Sequence, residues 1–210
     1  TVVGDKEAVD EILTNDAVRA ISFVGSTPVG EYIYHKGSSH NKRVQALCGA
    51  KNHMIVMPDA DLEQSSDAII GAAYGSSDER CMAISVVVAV GDDTAEDLIQ
   101  SLIPKIKSLK IGAYNEPEVE MGPVISKQSQ EKILSYIEAG INEGAELRVD
   151  GRSETKKDGF FVGGCLFDNV TSNMSIYTDE IFGPVLSVVR VSSYDRSEER
   201  RVGKECRSRW

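Results

Sequence analysis

The chain has 210 residues, 41% of them hydrophobic and 27% charged, with a formal net charge of −10. That composition belongs to a globular protein long enough for one or two cores, and the negative charge argues against non-specific nucleic-acid binding, which needs clustered Lys and Arg. No apolar run approaches the length of a membrane span, about 20 residues, and four Cys without CxxC spacing read as reduced thiols, with three His too scattered to suggest a metal site.

Residues 4–13 have Val9, Ile12 and Leu13 at helical spacing. A strand is expected at 19–24, then the turn GSTPVG at 25–30, a helical stretch near 31–37 and a strand at 42–47. A third strand follows at 53–57. PDADLE then opens a helix running to about Tyr74, with Asp59 as the expected cap. This alternation is that of a parallel α/β sheet. Further on, 83–90 reads as a strand and 94–109 as a helix with Leu98, Leu102, Ile106 and Leu109 on one side. A Gly- and Pro-rich loop spans 111–126, a helix 127–143, and strands are expected near 145–149, 159–167 and 184–191.

Three stretches carry chemistry. SSDERCMAISVVVAV at 76–90 is a polar loop that reaches Cys81 and runs into an apolar strand. Cysteine attacks carbonyls at neutral pH because a few per cent is already thiolate; Arg80 favours the anion and Glu79 opposes it. This stretch alone leaves nucleophile and structural thiol about equal. GSTPVG follows a strand and opens a helix, so Gly25 and Ser26 sit where backbone N–H groups and the helix dipole can receive a phosphate, although any strand–helix turn could read so. EIFGPV at 180–185 offers Glu180 to sugar hydroxyls and Phe182 to a flat ring; in isolation it is also a packed turn.

In order, FVGSTPVG, LCGAKNHMIVMPDADLE, ERCMA, MGPVIS and EIFGPV cover nearly all of residues 1–195, and together they resemble the aldehyde dehydrogenase superfamily. The resemblance implies an α/β fold: the C-terminal part of a Rossmann-type cofactor domain at 1–49, then most of an α/β catalytic domain at 50–195. It implies that Cys81 is the nucleophile, that Gly25 and Ser26 meet the NAD pyrophosphate, and that Glu180 and Phe182 hold the nicotinamide ribose and ring. Cys48 and Cys165 are expected to be core or near-core thiols. The parent is expected to be a homo-oligomer, dimer or tetramer, in the cytoplasm or, in a eukaryote, the mitochondrial matrix.

One departure matters. Most of the family reads Glu-Leu-Gly-Gly-Lys where this chain has Leu47-Cys48-Gly49-Ala50-Lys51. The Glu activates water to hydrolyse the thioester, and a leucine cannot take a proton. A thiol such as coenzyme A attacks a thioester without that help. The GAKNH and ERCMA stretches accordingly resemble the CoA-acylating methylmalonate-semialdehyde dehydrogenase branch, which yields propionyl-CoA or acetyl-CoA with loss of CO2. By the same resemblance Arg80 pairs with the substrate carboxylate. The alternatives are a hydrolytic enzyme with a relocated base, or a truncated, non-catalytic product. Residues 196–210, with six basic and three acidic side chains, resemble a translated sequencing adapter and are expected to carry no function. The chain taken alone is expected to be inactive, since the family's adenosine contacts and oxyanion-hole Asn would precede Thr1.

Overall fold

The structure, a computed structural model, describes residues 4–156 and 158–201. The described residues divide into two compact units, 4–49 and 50–201.

The first unit contains α1 (Lys6–Thr14), β1 (Ala20–Val24), α2 (Thr27–Ser39) and β2 (Arg43–Leu47). Asp5 caps α1 by accepting the Glu7 N–H, and Leu13 is buried beneath it. β1 and β2 pair in parallel, from Ala20 opposite Arg43 to Val24 opposite Leu47. Their carboxyl ends therefore share one edge, and the 25–30 turn follows β1 there. Helix α2 begins four residues earlier than the sequence suggests: Ser26 is its N-cap and Pro28 lies in its first turn, where the missing N–H costs nothing. Gly30 is buried in α2, and a Cβ there would lie 2.1 Å from the Cys48 Sγ, so only glycine lets Cys48 pack against this helix.

The second unit holds β3 (Asn52–Val56), α3 (Leu62–Ala73), β4 (Ile84–Val90), α4 (Asp92–Ser108), α5 (Lys127–Asn142), β5 (Glu146–Val149), β6 (Cys165–Asp168), α6 (Ser175–Thr178), β7 (Val185–Val191) and α7 (Tyr194–Arg201). Its sheet runs β3-β4-β7-β6-β5, parallel throughout except for β5 against β6. So β3 leaves the β1–β2 pair and starts a second sheet. The run Val86–Ala89 is completely buried because β4 is central and covered on both faces. One face packs against Ile69, Leu98, Leu102 and Ile106 of α3 and α4, the other against Ile133 and Ile137 of α5.

Three details differ from the sequence reading. The cap of α3 is Asp61, whose carboxylate accepts the Gln64 N–H at 3.0 Å; Asp59 lies too early to reach it. The strand expected at 159–167 is confined to Cys165–Asp168, because the Gly163 N–H is taken by the Gly151 carbonyl at 3.0 Å instead of by a strand neighbour. Helix α7 continues to Arg201, into the stretch that resembles a translated adapter; the Ser193 hydroxyl accepts the Arg196 N–H and Ser197 is buried. The rest of the tail, 202–210, lies outside the described residues. No described helix is long and apolar enough to cross a membrane.

Candidate functional site

Topology assembles the site in the second unit. β3, β4 and β7 are adjacent and parallel, so the segments that precede them emerge at one edge of the sheet. These segments carry Ala50 and Lys51, then Arg80 and Cys81, then Glu180 and Phe182. Residues up to 130 positions apart thus share one rim: the Ala50 N–H donates to Glu180 Oε1 at 3.2 Å.

Cys81 is exposed on this rim and Met82 beside it is 83% exposed. The loop is held by Asn52 and Ser77, which sequence reasoning did not single out, and by Glu79, which it read only as a charge beside Cys81. Asn52 Nδ2 donates to the Cys81 and Ala83 carbonyls at 2.8 and 2.9 Å. The Ser77 hydroxyl donates to the Gly122 carbonyl at 2.8 Å, and Glu79 accepts the Ile125 N–H at 3.1 Å, tying the MGPVIS loop to the nucleophile loop. Burial raises the Glu79 carboxyl above its ordinary value, with the Ile125 bond working against that rise. Asp78 is 4% exposed, and its Oδ1 has no hydrogen-bond partner among the described residues. Burial is the main cause that pushes its carboxyl up to about 8.

Arg80 also makes a contact that the sequence reading did not foresee. Its Nη2 donates to the Gly71 carbonyl at 2.8 Å, at the C-terminal turn of α3, where a cation also suits the helix dipole. Arg80 as a whole is exposed.

On the other side of the rim, Lys51 Nζ donates to the Ile176 and Asp179 carbonyls at 2.7 and 2.8 Å, and His53 meets the Tyr177 hydroxyl at 3.2 Å. Lys132 Nζ donates to the Glu180 carbonyl at 3.0 Å. These bonds fix the backbone that presents Phe182, which is 38% exposed and has φ 60°. An aromatic residue in left-handed backbone is strained, and such strain persists only where the surroundings impose it. Lys51, Asn52 and His53 all lie in the GAKNH motif; their polarity at the head of an otherwise apolar strand was the available signal.

The remaining predicted residues, Gly25 and Ser26, belong to the first unit. Ser26 makes no side-chain cap bond, so its hydroxyl and the first N–H groups of α2 remain available to an anion. The Gly25 N–H is spent on the Leu47 carbonyl at 3.1 Å, and a Cβ at Gly25 would come within 2.5 Å of the Phe23 ring. Among the other thiols, Cys165 is fully buried and pushed up to about 12, above all by burial, whereas Cys48 is half-buried.

The profile of the aldehyde dehydrogenase family matches residues 1–199. The malonate-semialdehyde dehydrogenase of Pseudomonas aeruginosa is 57% identical over 199 residues, which are 93% of this chain and 40% of that protein. Among solved structures, a methylmalonate-semialdehyde dehydrogenase from Oceanimonas doudoroffii superposes with a TM-score of 0.93 at 50% identity, over 96% of this chain and 42% of that one. A protein assigned the same activity, from Sinorhizobium meliloti 1021 and crystallised with NAD, also has a TM-score of 0.93, at 53% identity and the same coverage. The chain spans about two fifths of the length of the curated relatives it matches. With its motifs in series and its parallel sheet superposing on these enzymes, the chain belongs to the aldehyde dehydrogenase family, close to the methylmalonate- and malonate-semialdehyde dehydrogenases.

Proposed function

We propose that this chain is the nucleophile-bearing part of a CoA-acylating semialdehyde dehydrogenase. The observation that carries the reading is Cys81: an exposed thiol on a loop held by Asn52, Ser77 and Glu79, on the same strand edge as Glu180 and Phe182. The Cys81 thiolate adds to the aldehyde carbon, and after oxidation the acyl group remains on Cys81 as a thioester. NAD, when bound, supplies the hydride acceptor. Ser26 and the N-terminus of α2 would hold its pyrophosphate, Gly25 would allow close approach, and Glu180 and Phe182 would hold its ribose and nicotinamide. Arg80 would pair with the carboxylate of a malonate-type semialdehyde.

Leu47 supports transfer to coenzyme A over hydrolysis, because it has no group to accept a proton from water. The substrate carboxylate leaves as CO2, the electron pair of the broken C–C bond passing to the carbon next to the thioester, which takes a proton from water; the incoming thiol displaces Cys81 as thiolate, and acetyl- or propionyl-CoA is the product. The relatives' names support a small carboxylated semialdehyde as substrate. On family resemblance we place the parent protein, a homo-oligomer, in the cytoplasm or the mitochondrial matrix. The test grafts residues 4–195 into the P. aeruginosa relative and assays NADH and acyl-CoA from malonate semialdehyde. Acyl-CoA formation that stops on Cys81→Ser supports the reading; free acid formed at full rate without coenzyme A overturns it.

A further inference from the structure

Ser76, Ser77 and Asp78 are three consecutive residues in left-handed backbone, at φ 53°, 54° and 58°. Each such residue costs energy, and a run of three persists only when its surroundings hold it. The Ser77–Gly122 and Glu79–Ile125 bonds hold this turn from outside. Asp78 is buried at its end, 4% exposed and with Oδ1 unpartnered among the described residues. A carboxyl so placed is tolerable uncharged and costly charged, because burial removes water and no donor replaces it at Oδ1.

The charged and titratable groups that bear on it come from four places: Lys51 before β3, Tyr74 after α3, Arg80 on the same loop and Glu180 before β7. Lys51 and Arg80 favour the carboxylate, but both cations are directed at backbone carbonyls, Lys51 at Ile176 and Asp179, Arg80 at Gly71. Glu180 opposes them, Tyr74 is neutral in this range, and burial outweighs the cations. We propose that Asp78 is a positioning residue for the Cys81 loop, its uncharged carboxyl completing the buried turn and its ionisation unseating that turn. The inference rests on the proposed function only in taking Cys81 as the nucleophile.

The direction with pH follows from linkage. The folded loop binds the Asp78 proton more tightly than the opened loop does, so the stability it contributes is complete below the ordinary aspartate range. That stability is lost as pH rises toward about 8 and falls no further beyond.

Hydrogen exchange of the peptide spanning 76–83 tests this in the 210-residue chain, without substrate, NAD or coenzyme A. Protection should fall with rising pH, by at most about tenfold per pH unit, and level off above about 8. Asp78→Asn should hold protection constant across that range. Identical profiles in the two proteins, or an offset independent of pH, overturn the proposal. If Asp78→Asn loses protection across β4 as well, Asp78→Gly suits the same left-handed position and gives the same reading. Glu79→Gln keeps an acceptor for the Ile125 N–H and should leave the greater part of the fall with pH in place; flattening by Glu79→Gln in place of Asp78→Asn would identify Glu79 as the group and defeat the proposal. Because no turnover is measured, a site that fails to oxidise aldehydes leaves this result interpretable.

Discussion

The side-chain amide of Asn52 bridges the carbonyls of Cys81 and Ala83, at 2.8 and 2.9 Å, and so brackets the exposed Met82. Asn52 stands opposite Ile84 just before the β3–β4 register shifts, which places its amide beside the loop that enters β4. Asn52→Ala removes two hydrogen bonds, at a cost of about 2 kcal/mol in loop or global stability. Urea unfolding of the chain with and without the substitution measures the loss. An unchanged midpoint, together with unchanged exchange at 80–83, would show that the bridge holds nothing.

The thiols should react in order of access. Iodoacetamide should label Cys81 ahead of half-buried Cys48, and Cys165 only on unfolding, since burial both covers it and keeps it protonated. In the grafted enzyme Cys81→Ser should abolish aldehyde oxidation. Loss of activity on Cys48→Ser with Cys81→Ser active would reverse the assignment.

Leu47 makes thiol dependence readable. Without coenzyme A, the grafted enzyme should stop after one turnover or leak slowly to acid. Leu47→Glu should increase free acid formation by restoring a proton acceptor at the family's position. No change in the ratio of acid to acyl-CoA would mean that position 47 does not control the acceptor.

The proposed pairing of Arg80 with the substrate carboxylate can be separated from its contact with α3. Arg80→Leu should raise KM for malonate semialdehyde roughly 10- to 150-fold, the worth of a charge-assisted pair, with little effect on propanal. The same change removes the donor to the Gly71 carbonyl, so some stability should be lost as well. Arg80→Lys keeps a cation near the end of α3 but lacks the planar fork, and should recover stability more than recognition. Equal KM losses for both aldehydes would confine Arg80 to its contact with α3.

Away from the rim, Asp168 is fully buried and receives Arg190 Nη2 at 2.6 Å and Arg148 Nη1 at 3.3 Å. Glu96 joins the two arginines, its carboxyl held down to about 2 first by Gln100 and then by Arg148 and Arg190. Arg190→Leu leaves Asp168 with Arg148 as its one cation, beside the Asn169 N–H, and should destabilise the second unit by about 3 kcal/mol. Thermal unfolding checks it, and a loss under about 0.5 kcal/mol would mean Arg148 alone neutralises the carboxylate.

Local chemistry was legible in the chain without coordinates. The apolar run of β4, the polar turn before it with one cysteine, and the helical periodicities of α4 and α5 depend on neighbours a few residues away, and the structure has these elements within a few residues of the sequence reading. Capping was less legible: in PDADLE either Asp59 or Asp61 can serve, and only the position of the first helical N–H chooses Asp61. The orientation of Arg80 was not legible at all. Adjacency to Cys81 suggested an electrostatic partner, whereas the bend of the loop turns the guanidinium back to α3.

By itself the sequence determined the family, the identity of the nucleophile candidate and the absence of a proton acceptor at Leu47, because these depend on which residue types follow one another. Tertiary structure alone decided which groups stand together. The parallel order β3-β4-β7 brings Asn52 to Cys81 and Glu180 to Ala50, and Asp78 is buried with no donor for Oδ1 among the described residues. Strand order follows from how apolar faces are covered across the whole sheet, a property of long-range packing that no local stretch encodes.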